Sequence, residues 1–397
     1  MQQVTEYWEK INRAFFMPKA EATVTIQRSD GKTPFVTGTD LISFSHIKSG
    51  DMLSGKLTQD KIVFTARNRN GFLSYDAEND SEVYENALCI VQEGFMNADS
   101  SAYDSIDGGR YFVSEVKQLQ NGQQYQFTAQ NVLGFMTEKA KEPVSETFNA
   151  RAMVVAVIEQ AISSQAVPIA STSTVYDVIE CDFDALAEIE VEYRMNTDNY
   201  SLAEILQLIA AMSGNLLYVD RNGKIHIEPY SAVTEHYVLS KKIQYKQTDI
   251  EYAARIGNVT VQSNHGLSVV GTDYEGDKIG ATQIVNIPIL DDDSQASDLC
   301  DFIYDRLTNG RKHFKATCRL DPALDLFDVI AVPFNNAVFP AIVTSINSTF
   351  NGGWKADIQA VALKPSDITL DLRICDIEML TIEQFEYLRI NQLLPNT

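Results

Sequence analysis

The chain has 397 residues, 45% of them apolar, and its 54 acidic against 32 basic side chains leave a net charge of −22. That length predicts two or three domains, with cores large enough to need no disulfide or metal staple. The acidic excess argues against a grip on nucleic acid or on an anionic membrane surface, since both need clustered Lys and Arg.

In chain order, Thr5 reads as an N-cap, and Trp8, Ile11 and Phe15 recur at helical spacing before Met17-Pro18. This predicts a short amphipathic arm over residues 1–20. From residue 22 the pattern turns to strands. Residues 22–26 alternate, Asp30-Gly31 marks a turn, and residues 41–44 and 61–66 read as further strands. Asn121-Gly122 between residues 110–118 and 123–132 is a hairpin signal. Residues 75–107 form an acidic excursion with one apolar run at 87–91. A first β domain is thus predicted over 21–142.

The texture then changes. Residues 148–162 are apolar at helical spacing and free of Gly and Pro. In residues 200–212, Ser201 and Glu204 have the spacing of a capping box, in which each side chain satisfies an orphan backbone donor of the other residue. Leu202, Ile205, Leu206, Ile209 and Ala210 supply the apolar face, and Gly214 supplies the left-handed stop. A hairpin over 216–228 turns at Asn222-Gly223. These elements predict a small α+β domain over 143–230.

Strands return at 256–262 and 283–289. The acids Asp291 to Asp293 open a helix with apolar Ala296, Leu299, Cys300, Ile303 and Leu307, closed by Arg306, Arg311 and Lys312 at its dipole-negative end. Residues 314–319 and 328–332 are strands. A long hairpin over 341–363 turns at Asn351-Gly352-Gly353, with Trp354, Ala356, Ile358 and Ala360 on one face and Lys355, Asp357 and Gln359 on the other. A second β domain is predicted over 231–365. A helical extension follows over 366–397, with Thr381 and Gln384 capping a last helix that carries Phe385 and Leu388. The fold class is α+β and β-dominated.

Catalytic motifs are absent: there is no G-x-S-x-G, H-E-x-x-H or G-x-G-x-x-G, and Ile26 stands where the first glycine of a phosphate loop ending at Gly31-Lys32-Thr33 would be. The five histidines are scattered. The acids Asp76, Glu78, Asp80, Glu82 and Glu85 lack the glycine and final glutamate of a calcium loop, so a solvated loop is the favoured reading. No run approaches 18 apolar residues, and the start lacks a signal-peptide pattern. The five cysteines form no C-x-x-C pair, which predicts reduced thiols and synthesis in a cytoplasm. No metal or other cofactor is expected, and the chain is not expected to be an enzyme.

Two stretches carry a resemblance. Residues 200–215 followed by 217–227, the capped helix and its hairpin, resemble phage tail baseplate hub proteins, the family that includes the N-terminal module of tail-associated lysins. The run from Leu320 through Asp321, Pro322, Asp328, Val329 and Ile330, with the hairpin after it, is similar to the second barrel of that family. The family usually has Gly before the Asp that opens this strand. Here Phe327 takes that place, a departure that bears on the tightness of the turn and not on the strand. A weaker likeness lies at residues 54–65.

The resemblance implies two tail-tube-like β-barrels per chain and a homotrimeric ring closing the distal tail tube of a virion, adapting sixfold to threefold symmetry. It implies tail-tube, distal-tail, fibre, spike and tape-measure proteins as partners. DNA would pass through the ring without specific binding, and no stable membrane contact is implied. Trp8, Ile11, Phe15, Phe385 and Leu388 are candidate subunit contacts, and the net charge suggests an acidic channel wall that repels DNA. The rival readings are a tail-associated cell-wall hydrolase, peptidase or glycosidase, for which the reading leaves no room between residue 365 and Thr397, and a host-receptor or carbohydrate-binding module.

Overall fold

The computed structural model describes residues 20–53, 55–74, 81–96, 103–140, 149–191, 200–234, 237–263, 268–271, 280–290, 292–372 and 380–384. The N-terminal arm with Trp8, Ile11 and Phe15 lies outside them. So do Phe385 and Leu388, and Asp76, Glu78 and Asp80 of the acidic excursion.

The first block is antiparallel: β1 (Ala20–Gln27), β2 (Phe35–Val36), β3 (Leu41–Ser49), β4 (Gln59–Arg67), β5 (Leu88–Met96), β6 (Tyr103–Leu119) and β7 (Gln124–Gln130). Alternation decides which face is buried; in β7, Tyr125, Phe127 and Ala129 go in while the glutamines and Thr128 are half-exposed. Gly31, Asn121 and Gly122 take the left-handed conformations their turns require.

Helix α1 (Ala150–Ser163) starts at Asn149, whose Oδ1 accepts from the Ala152 amide at 2.9 Å. Between it and the next long helix lie α2 (Val175–Val178), β8 (Ile179–Cys181) and α3 (Phe183–Ala187), short elements that apolar periodicity does not reveal. Helix α4 (Leu202–Met212) carries the predicted box: the Ser201 amide donates to Glu204 Oε2 at 2.8 Å, and the Glu204 amide to Ser201 Oγ at 3.3 Å. Gly214 follows at φ +66°, with the Phe302 ring 3.0 Å from where a Cβ would stand. The hairpin β9 (Leu216–Val219) and β10 (Ile225–Glu228) comes next, and β8 pairs parallel with β10.

The remaining elements are β11 (Asp249–Tyr252), β12 (Ile256–Gln262), β13 (Ser268–Val270), β14 (Ala281–Asn286), α5 (Asp293–Asn309), β15 (Lys312–Arg319), β16 (Val329–Phe334), β17 (Ala337–Phe350) and β18 (Trp354–Ala362). Asp292 caps α5, accepting from the Ser294 and Gln295 amides. After α5, Gly310 has φ −80°, so this helix ends without a left-handed residue. Thr381 and Gln384 bond reciprocally at 3.0 and 3.3 Å, and Gln384 Nε2 donates to the Asn335 carbonyl.

Two packing results are not legible along the chain. First, β17 pairs with β3, from Ser345 opposite Ser49 to Phe350 opposite Phe44, so both β blocks merge into one 12-stranded sheet ordered β11-β15-β18-β17-β3-β4-β7-β6-β5-β1-β2, with β16 on β17. Among the described residues the bonded path does not close on itself. The two blocks share one core, in which the Phe44 and Trp354 rings meet edge-on at 5.9 Å. Burying side chains of this size stabilises by roughly 1.5–3 kcal/mol each. Second, β12 and α5, read from sequence as part of the second β domain, bury Val259, Val261, Ala296, Leu299, Cys300 and Ile303 in the core of the α+β unit with α1 and α4. The apolar stripe of α5 needs a matching surface, and the core around α4 supplies it.

The other face of the sheet is half-exposed and polar. From β15 to β4 its rows read Lys315–Gln359–Ser345–Ser49–Gln59 and Thr317–Asp357–Asn347–Ile47–Lys61; the next, from β18, reads Lys355–Thr349–Ser45–Val63. Arg319 of β15 opposite Lys355 and Asp249 of β11 opposite Lys315 extend these rows, which then carry two acids against three lysines and an arginine, so the acidic excess of the chain lies elsewhere.

Candidate functional site

The segment that carried the resemblance ends at a three-way junction. Val329 packs with Met52, Leu216, Phe327 and Ile342, while Ile330 enters the sheet core. Ahead of them the chain bends through Asp321 to Asp328. Asp321 Oδ1 accepts from the Ala323 amide at 3.0 Å, and Asp328 Oδ2 accepts from the Asp325 amide at 2.6 Å. Phe327 has φ +67°, the left-handed conformation that a glycine would take without strain, so the turn stays tight despite the substitution. Its ring is 6% exposed and lies over Gly50, where any Cβ would collide with it.

Asp325 is the meeting point. Lys48 of β3 donates to its Oδ1, and Arg221, at the tip of the β9–β10 hairpin, donates from Nε to its Oδ2 at 2.5 Å. The other Arg221 nitrogens reach the Asp107 carbonyl of β6 and the Pro322 carbonyl, each at 2.7 Å. One guanidinium thereby ties the α+β unit to both β blocks. Its planar fork suits this, because several donors act from a single rigid group. Burial pushes the Asp325 carboxyl up, but Arg221 and Lys48 outweigh it and hold the group well below the usual carboxylate range. Burial likewise opposes the Arg221 charge, and Asp325 and Glu93 outweigh it, raising its pKa further. Asp328 is pushed up by burial and by the neighbouring Asp325 charge.

Behind Lys48 on the same face of β3, His46 sits between Asp60 of β4, with Nε2 to Oδ1 at 2.8 Å, and Glu93 of β5, with Nδ1 to Oε1 at 3.7 Å. Tyr111 Oη lies 2.7 Å from Nε2 and donates to the Gly108 carbonyl at 3.2 Å. Burial and Lys48 push the imidazole pKa down, and the two carboxylates outweigh them, so it stands above its ordinary value. A cavity of about 410 Å³ opens on the junction, walled by Lys48, Asp60, Arg221, Asp325, Phe327 and Asp328 among others.

Of the residues singled out in the sequence, Asp321, Pro322, Asp328, Val329 and Ile330 therefore come together here. The caps Ser201, Glu204 and Gly214 act on α4, and Thr381 and Gln384 bond to each other, the rest of their predicted helix lying outside the described residues. Sequence reading missed Lys48, His46, Arg221 and Asp325. The one local signal was on β3, where His46 and Lys48 share the inward parity of Phe44. Among the described residues no group of three or more His, Cys, Asp or Glu could hold a metal ion.

No protein-family model matches the sequence, and no curated protein does. Solved structures do. The tail protein from Neisseria meningitidis MC58 is similar over 86% of this chain and 96% of that one, with a TM-score of 0.55 at 10% identity. The 43 kDa tail protein of prophage MuSo2 from Shewanella oneidensis is similar over 87% and 99%, with a TM-score of 0.55 at 12% identity. A chain of the Francisella PdpA-VgrG complex is similar over 91% of this chain and 61% of that one, at a TM-score of 0.51 and 10% identity. At such identities the likeness is one of fold: this chain has the fold of phage tail proteins, in keeping with the baseplate-hub resemblance of its capped helix, hairpin and second-block strand.

Proposed function

We propose that this chain is a structural hub protein of a phage tail or phage-derived tail, placed at the distal end of the virion tail and without catalysis of its own. The observation that carries this reading is the fold shared with tail proteins over nearly the whole length of both chains. In this reading each chain supplies two tube-like β units, side by side across the β17–β3 pairing, and three chains form a ring that meets a sixfold tube above and a threefold tip below. Its partners are tail-tube and distal-tail proteins, and fibre, spike or tape-measure proteins. The open face of the joined sheet lines the DNA channel, and its amides and hydroxyls replace the acidic wall that net charge alone suggests.

Light scattering of the purified chain tests the ring. A mass near three times 44.3 kDa, with a hollow particle in electron micrographs, is the expected result, and a monomer at all concentrations overturns the trimer. A zymogram on bacterial cell walls tests the absence of catalysis, where clearing by the purified chain would replace the structural reading with the hydrolase.

A further inference from the structure

His46 is 3% exposed and Glu93 is 3% exposed, so neither group can hand its charge to water. Their geometry restricts the protonation state of the ring. A neutral imidazole carries one N–H and one lone pair. With the proton on Nδ1, the Nε2 lone pair faces Asp60 Oδ1 at 2.8 Å and can accept only from the Tyr111 hydroxyl at 2.7 Å, which then gives up the Gly108 carbonyl; with the proton on Nε2, the Nδ1 lone pair faces Glu93 Oε1 at 3.7 Å. Only the imidazolium presents a donor to both carboxylates. Every element packed around the ring adds to the same count. Lys48 lies on β3, Asp60 on β4, Glu93 on β5 and Tyr111 on β6, and Arg221 and Asp325 face in from the junction. Asp60, Glu93 and Asp325 face Lys48, Arg221 and a charged His46, and Asp328 beside Asp325 adds a further carboxylate to the junction. Without the His46 proton, the excess of buried carboxylates grows by one, a state that burial makes costly.

The ring is linked to the docking of the α+β unit through a short path. Tyr111 Oη, 2.7 Å from Nε2, donates to the Gly108 carbonyl. The Gly108–Gly109 bend has no side chains because Val91, Glu93 and the Tyr111 ring occupy the places where Cβ atoms would stand. The preceding residue, Asp107, gives its carbonyl to Arg221. Any shift of Glu93 or Tyr111 therefore moves the acceptor that holds the hairpin tip.

We propose that His46 is a proton-operated latch: its imidazolium, held between Asp60 and Glu93, fixes the bend that presents the Asp107 carbonyl to Arg221, and loss of that proton loosens the α+β unit from the sheet. The latch is independent of the ring reading and acts within one chain.

Hydrogen exchange by mass spectrometry on the full chain at pH 7.0, 7.8 and 8.5, above the value of about 6 to which Asp328 is raised, and corrected for intrinsic exchange, tests it. Protection over residues 216–228 and 321–328 is expected to fall about tenfold from the lowest to the highest pH, while α1 changes little. In Glu93→Gln the amide can face either ring tautomer, so the fall should disappear. A flat wild-type profile, an equal fall in α1, or the same fall in Glu93→Gln each overturns the latch. Should that variant not fold, the ¹⁵N shifts of the His46 ring in the wild type decide: a neutral ring at pH 6 overturns the proposal, and an imidazolium that titrates together with the loss of protection supports it.

Discussion

Phe327 shows how a single residue can break a local rule and have its strain offset elsewhere. A left-handed conformation costs a side-chain-bearing residue roughly 1–2 kcal/mol, yet the buried ring over Gly50 more than offsets that. The two substitutions at this position should therefore fall in an unusual order. Phe327→Ala loses the ring and keeps the strain, while Phe327→Gly loses the ring and relieves the strain. Urea unfolding should find the glycine variant the more stable by about 1 kcal/mol, the reverse of an ordinary position. Gly50→Ala should cost about 1–3 kcal/mol by driving a Cβ into the ring. Asp325 gives a pH test. Its folded pKa lies below the unfolded value of about 3.9, so its contribution is complete above that value and is lost as pH falls toward the folded one. Thermal melts of wild type and Asp325→Asn should thus differ most near pH 5; the gap should narrow toward pH 7 as Asp328, raised to about 6, ionises beside Asp325, and should close in stronger acid. Neither Asp325 nor its partners announced themselves in the sequence, because Lys48 and Asp325 lie 277 positions apart.

At the scale of elements, local signals were sufficient where the cause of structure is local. The Ser201–Glu204 box, the Asn121-Gly122 turn and the alternation of β18 depend on residues a few positions apart, and each forms as read. Ser201→Ala should cost about 1 kcal/mol by leaving an N-terminal amide of α4 without its acceptor, measurable by chemical denaturation. The short elements between α1 and α4 escaped, although Thr174 and Asp177 make a capping box and Asp182 caps α3. Helices of four and five residues are too short to show an apolar period, so their caps were the only signals available.

For the whole molecule, the decisive contact is the pairing of β17 with β3, since it turns two separately readable β blocks into one sheet with one core. The open face of that sheet also redistributes charge: a chain with a net charge of −22 presents rows of Ser, Thr, Asn and Gln there. If that face lines a ring, as proposed, mixing duplex DNA with the assembled protein should give no salt-sensitive retention, because lysines too few to neutralise a phosphate track bind weakly; retention that falls steeply with salt in a filter-binding assay would contradict it. The sequence by itself determined most of the longer strands, the helices α1, α4 and α5, the caps of α4 and α5 and the β-dominated class, because periodicity and capping act over a few residues. It missed β2, β8, β11 and β13, and read as a surface excursion the stretch where β5 and the start of β6 pair in the sheet. The tertiary structure alone decided that β12 and α5 join the α+β core, that the two β blocks share a seam, and that Arg221, Lys48 and Asp325 meet, because each depends on apolar faces or opposite charges brought together from distant parts of the chain.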